Sequence, residues 1–191
     1  MLPRKHQAYA GFTFTELLIA MAISSVVLGA IVHTFTTQRR SYDIQEQISA
    51  MLQNARGAME SIAREARMAG YNPTGAVFNG VTYNASQLQL QADLNGDGDT
   101  ANTDETITYS HDAITLQITR AANGTTAPLA DAITAMTVGY LDSDGNATTV
   151  STDIRQVQVS ITARTAEPDP HYGDNNGYRT YTLTSLLTPR N

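Results

Sequence analysis

Apolar residues run almost unbroken from Phe12 to Phe35, and Glu16 and His33 are the only ionisable side chains among them. As a helix rising about 1.5 Å per residue, that stretch covers roughly 36 Å, enough to span the roughly 30 Å of bilayer hydrocarbon. It ends at Gln38-Arg39-Arg40. Beyond it the apolar positions Ile44, Ile48, Leu52, Ala55, Met59, Ile62, Ala66 and Ala69 recur three or four apart, the stripe of an amphipathic helix. The opposite face carries Gln45, Glu46, Gln53, Arg56, Glu60, Arg64 and Arg67, with Glu60 and Arg64 at a favourable i,i+4 spacing. No proline occurs between Pro3 and Pro73, so one continuous helix over about 12–69, roughly 87 Å long, is expected. Gly70, followed by Asn72-Pro73, closes it with a C-cap and a breaker. A helix of that length cannot be buried by a domain made from the rest of the chain, so its first half is expected to pack against lipid or other subunits.

After Pro73 the period changes to two. Leu88 and Leu90 alternate with glutamines, Ile107 and Tyr109 with threonines, and Ile114, Leu116 and Ile118 with Thr115, Gln117 and Thr119. Val157, Val159 and Ile161 alternate with polar residues in the same way, as do Tyr181 and Leu183 with Thr180, Thr182 and Thr184. These read as half-buried strands of an antiparallel sheet, covered on one face by the stripe from Ile44 to Ala69. Asn123-Gly124 and Asp142–Asn146 carry turn chemistry. Leu129–Tyr140 fits a short helix or a strand, and the polar, proline- and glycine-broken stretch between Glu167 and Tyr178 reads as a loop. The class is α+β: one membrane-capable helix and one domain with room for a core.

Composition narrows the function. The formal charge is -6, and loss of Arg4 and Lys5 with a leader would deepen it. After Lys5 there is no lysine, which argues against nonspecific nucleic-acid binding through clustered basic side chains. The chain has no cysteine, so an exported domain must rely on core, sheet or metal for stability. His6, His33, His111 and His171 have no metal or triad spacing. Nor is there a nucleophile elbow or a phosphate-binding glycine loop, so an enzyme is not expected.

Glu16 is the informative residue of the apolar stretch. A carboxylate within a bilayer costs about 2.5–3.5 kcal/mol even on lenient insertion scales, and a plain anchor or a cleavable secretory signal has no use for one. Paired with the amine of a neighbouring subunit, both costs would be offset and an axial register set. The bland alternative pairs Glu16 with its own Phe12 amine or leaves it protonated. Ala20, Ala22, Ser24, Ser25, Gly29 and Ala30 permit close helix approach.

The basic leader with Arg4 and Lys5, the Gly11–Phe12 junction, and Glu16 together resemble the prepilin signature of type IV pilins and type II secretion pseudopilins. Gln45–Tyr71 and the ending Leu186-Leu187-Thr188-Pro189-Arg190-Asn191 resemble PilW-type minor pilins. The resemblance implies the type IV pilin fold, a long helix laid on an antiparallel sheet. It also implies cleavage between Gly11 and Phe12 by prepilin peptidase and N-methylation of Phe12. The organisation it implies is a leader over 1–11, a transmembrane and assembly helix over 12–40, an amphipathic helix over 41–70 and a globular β domain over 71–191. Such a subunit would sit in the inner membrane as a precursor and join an extracellular pilus with major and other minor pilins, serving motility or adhesion. A pseudopilin of type II secretion is the alternative.

A second signal lies at Asp93-Leu94-Asn95-Gly96-Asp97-Gly98-Asp99, followed by Asp104 and Glu105. Oxygen ligands at Asp93, Asn95 and Asp97, a glycine for the turn, a backbone carbonyl at Asp99 and a closing carboxylate at Asp104 match a calcium loop of the EF-hand kind. Asp replaces the usual closing Glu, Glu105 falls one residue late, and the flanking elements are strands. A polar hairpin loop without metal is the alternative.

Overall fold

The computed structural model describes residues 11–190. Helix α1 spans Phe14–Met68, and eight strands follow: β1 (Val81–Thr82), β2 (Gln87–Gln91), β3 (Thr106–Asp112), β4 (Gln117–Ala122), β5 (Thr125–Ala130), β6 (Ile133–Leu141), β7 (Gln156–Arg164) and β8 (Thr180–Leu187). The chain forms two compact units, the first ending at Gln45 and the second beginning at Glu46. In the first, every described residue from Gly11 to Arg39 is exposed.

The second unit holds the core. Met51, Ala55, Ala58, Met59, Ile62, Ala63 and Ala66 of α1 are buried together with Leu88, Leu90, Ile107, Tyr109 and Ile118 of one sheet and Val157, Val159, Ile161 and Ala163 of the other. The helical stripe is wider than its expected 3-4 spacing, because Met51, Ala58 and Ala63 also turn inward. Small alanines bring the helix close to the strands, and each fully buried Ile or Val contributes about 1.5–3 kcal/mol. At the C-terminal end Gly70 takes a left-handed φ of 83° and donates its N–H to the Gln91 carbonyl at 2.8 Å, which closes the helix as its sequence indicates.

Instead of the one antiparallel sheet expected there are two: a five-stranded meander in the order β1-β2-β3-β4-β5 and a three-stranded sheet β6-β7-β8. The split comes at Asp131-Ala132, where Ala132 adopts φ 54° and turns the chain so that β6 pairs with β7 and not with β5. Leu129–Tyr140 is therefore strand on both sides of that turn. Pro128, which has no N–H to offer a further strand, lies in β5 at the edge of its sheet.

One strand reading is corrected. Ile114 and Leu116, taken with Ile118 as a strand, lie in the β3–β4 turn, where Ile114 is 93% exposed and Leu116 has φ 56°. Asp112 decides this: its Oδ1 accepts the N–H groups of Ile114 at 2.8 Å and Thr115 at 3.3 Å, offering the backbone a turn in place of a ladder. Those bonds hold the Asp112 carboxyl below the usual carboxylate range.

Candidate functional site

Helix α1 begins where Thr13 caps it. The Thr13 carbonyl accepts the N–H of Leu17 at 3.2 Å, and its hydroxyl accepts the N–H of Glu16 at 3.3 Å. In return Glu16 Oε2 accepts both the N–H and the hydroxyl of Thr13, each at 2.8 Å. This is a capping box, with Thr at the N-cap and Glu three residues on. Thr13-Phe14-Thr15-Glu16 carries that signature in the sequence, and the reading of Glu16 as an isolated charge passes over it. It also explains why the helix starts at Phe14, two residues later than expected.

The span itself is prepared for an apolar solvent. Ser25 donates its hydroxyl to the Met21 carbonyl at 2.5 Å, Thr34 to Ala30 at 2.9 Å and Thr37 to His33 at 2.9 Å. Each hydroxyl is thus satisfied one turn back within the helix, as a segment in hydrocarbon requires. Among the described residues, α1 is the helix long and apolar enough to cross a membrane. Phe12, at 92% exposed, and Gly11, where an added Cβ would meet nothing within 4 Å, lie just ahead of it, outside the helix. The leader residues Arg4 and Lys5 lie outside the described residues.

Residues 7–32 match the prokaryotic N-terminal methylation motif. The match covers the Gly11–Phe12 junction, Glu16 and most of the apolar span, and it supports a type IV pilin or pseudopilin whose precursor is anchored in the inner membrane. It implies processing by prepilin peptidase and assembly with other pilins. No curated protein matches the chain. The α+β architecture, one long N-terminal helix with antiparallel sheets, is that of a type IV pilin-like fold.

The acidic loop joins β2 to β3, whose register ends at Gln91 opposite Thr106. Asp93 is fully buried: its Oδ1 accepts the Gly96 N–H at 2.6 Å, and its Oδ2 accepts the Gly98 N–H and the Thr74 hydroxyl, both at 3.1 Å. Glu105 is buried as well. It accepts the N–H groups of Leu94 at 3.0 Å, Asn95 at 3.2 Å and Asn102 at 3.1 Å. Between them, Asn95, Asp97 and Asp99 each accept the N–H two residues on, at 2.9, 3.1 and 2.9 Å. The amide of Asn95 and the N–H of Asp99 hold the Asp97 carboxyl below its ordinary value.

Asp104 turns the other way, onto Arg120 Nη2 at 3.1 Å, with its own N–H donated to Asn123 Oδ1 at 2.7 Å. The carboxylate that the structure brings to Asp97 and Asp99 is that of Glu105, the three offering oxygens within 4.8 Å of one another. Asp93, whose lone pairs are taken by backbone N–H groups and Thr74, organises the loop from beneath.

Glu65, which the polar face of α1 read from spacing does not include, carries a polar contact between helix and sheet. It accepts the Tyr109 hydroxyl and pairs with Arg120 Nε at 3.0 Å. Tyr109 faces Arg120 across β3 and β4. Burial, and then the Glu65 carboxylate, push the Tyr109 hydroxyl far above the usual phenol range. The sequence signal was a charge at 65 beside the apolar Ile62 and Ala66, on a face that should have been mixed.

Proposed function

We propose that the protein is a minor pilin of the PilW kind, a structural subunit that joins, initiates or caps a type IV pilus after cleavage between Gly11 and Phe12 and N-methylation of Phe12. One observation carries the reading: the methylation motif at residues 7–32 leads into an apolar helix face that the chain leaves wholly exposed. A surface of that size needs lipid before assembly and other subunits after it. Glu16 has a role in each state. In the precursor it closes the capping box with Thr13. In a filament its carboxylate receives the methylated amine of a neighbouring subunit, which offsets two charges in an apolar medium.

The experiment is fractionation of cells into membrane and sheared pili, with intact-mass analysis of each form. A mature protein beginning at methylated Phe12 and present in pili supports the reading. A mature form confined to the inner membrane of a cell with a type II secretion system points to a pseudopilin.

We infer in addition that the acidic loop takes a calcium ion through Asp97, Asp99 and Glu105, with Asn95 beside them. The approach of the Asp97, Asp99 and Glu105 carboxylate oxygens to within 4.8 Å of one another supports this set in place of one with Asp93 and Asp104.

A further inference from the structure

Among the described residues two arginines have a buried Nε without a hydrogen-bond acceptor, Arg164 and Arg179. Arg164 ends β7 and Arg179 directly precedes β8, and both stack on a tyrosine: Arg164 over Tyr178 at 4.1 Å, Arg179 over Tyr172 at 4.5 Å. Their charges are treated differently. Arg179 donates from Nη2 to Asp169 Oδ2 at 3.3 Å. Among the described residues Arg164 meets no carboxylate, and its guanidinium rests on the Tyr178 face. A buried guanidinium Nε without an acceptor forfeits a hydrogen bond that water would supply, and such groups call for an explanation.

Arg164 lines a recess of about 410 Å³, with Thr134, Thr162, Thr180, Asn175 and Asn176 around it and Tyr178 beneath the guanidinium. The lining holds no carboxylate, so this is a cationic spot in a chain of formal charge -6. Threonine and asparagine side chains line most of the wall and set hydroxyls and amides among methyl and ring surface. Thr134 spends its proton on the Thr162 carbonyl at 3.1 Å, and Asn175 Nδ2 reaches Thr180 Oγ1 at 3.4 Å. Asn175 and Asn176 stand consecutively in the left-handed region, at φ 48° and 55°, held there by turns from Gly177 N–H to the Asp174 carbonyl and Tyr178 N–H to the Asn175 carbonyl. The turn sets both amides at the rim.

We propose that this recess binds an acidic saccharide, a hexuronic acid or a similar carboxylated sugar. One unpaired guanidinium, planar and fixed by its stack on Tyr178, matches one carboxylate in a bidentate fork. A phosphate dianion would ask for a second cation, and Arg179 is already paired with Asp169. The remaining wall offers hydroxyls and amides to a ligand rich in hydroxyls, and its methyl and ring surface suits the apolar C–H face of a sugar ring. The site is independent of the assembly segment.

The test is saturation-transfer NMR of the full chain in detergent micelles with glucuronate, glucose, acetate and inorganic phosphate in separate titrations. Glucuronate is expected to bind with a dissociation constant on the order of 1 mM, the weak end of the usual affinity scale. Glucose and acetate should each bind at least about tenfold more weakly. Arg164→Lys keeps the charge and loses the fork, and should weaken glucuronate at least about tenfold with an unchanged melting temperature. Asn176→Gly suits the left-handed backbone and keeps the fold, and should cost about threefold through the lost amide. Binding of acetate as tight as glucuronate, tighter binding of phosphate, or wild-type glucuronate affinity in Arg164→Lys would each overturn the proposal.

Discussion

Glu16 Oε2 lies 2.8 Å from both the backbone nitrogen and the hydroxyl of Thr13, so the carboxylate expected to serve a neighbouring subunit is engaged inside its own chain. Both capping bonds fall on Oε2, so an amine arriving from a neighbouring subunit either shares the carboxylate with them or displaces them. Thr13→Ala removes the hydroxyl donor and leaves the Glu16 carboxylate held by the backbone N–H of residue 13 alone, a weaker hold. Incorporation into sheared pili should match or exceed wild type. Glu16→Ala should insert in the membrane as well as wild type, an ionisable group having left the span, and be reduced at least about tenfold in pili. Equal pilus content for Glu16→Ala and wild type would restrict Glu16 to capping.

Gly11 reports on processing alone. A Cβ there meets nothing within 4 Å, so a substitution leaves the described structure unstrained and any effect belongs to the peptidase. Gly11→Ala should be cleaved slowly and Gly11→Leu not at all. Intact mass of the membrane fraction reads this directly: leader-bearing protein should accumulate in the leucine variant.

The Tyr109 hydroxyl and Glu65 tie sheet to helix within the core. Tyr109→Phe leaves the Glu65 carboxylate short of a donor, with an expected loss of about 1–2 kcal/mol in unfolding free energy. The same bond has a pH signature. The folded hydroxyl titrates above the 10.0 of an ordinary tyrosine, so the stabilisation is complete below pH 10 and is lost as pH climbs beyond it. Wild type should therefore lose stability more steeply than Tyr109→Phe between about pH 10 and 11.5, as thermal unfolding at a series of pH values would show.

Asp93 and the cluster around Glu105 make separable predictions. Asp93→Ala strands two backbone N–H groups and the Thr74 hydroxyl beneath the loop, and should cost about 2–3 kcal/mol with or without calcium. Asp97→Ala with Asp99→Ala removes exposed cluster oxygens and should have a small effect in chelator. Wild type should gain about 2.7 kcal/mol at free calcium near 100 times its dissociation constant, and the double variant nothing. Thermal unfolding of the full chain in detergent, with calcium or with chelator, measures all three. A wild-type melting temperature indifferent to calcium would leave the loop a metal-free turn.

Much of this was written in local order. The apolar run from Phe12, the 3-4 spacing through Ala69, the stop at Gly70 and the alternation of Val157, Val159 and Ile161 are periodic, and periodicity needs only the next few residues to act. Asn123-Gly124 forms its hairpin turn with both φ values positive for the same reason. Tertiary structure decided what depends on residues far apart in the chain. The second sheet arises because Ala132 turns the strand away from β5, and that choice is made by partners in β7. Ile114 left the strand for a local reason that alternation alone does not register, because Asp112, two residues earlier, accepts its N–H. Asp104 and Glu105 are neighbours in sequence, yet Arg120 draws one outward and the N–H groups of Leu94 and Asn95 draw the other in. Arg164 and Tyr178 stand on opposite sides of a loop, and their stack exists because β8 returns beside β7. Partners distant in sequence are a property of the folded neighbourhood, which local spacing does not encode.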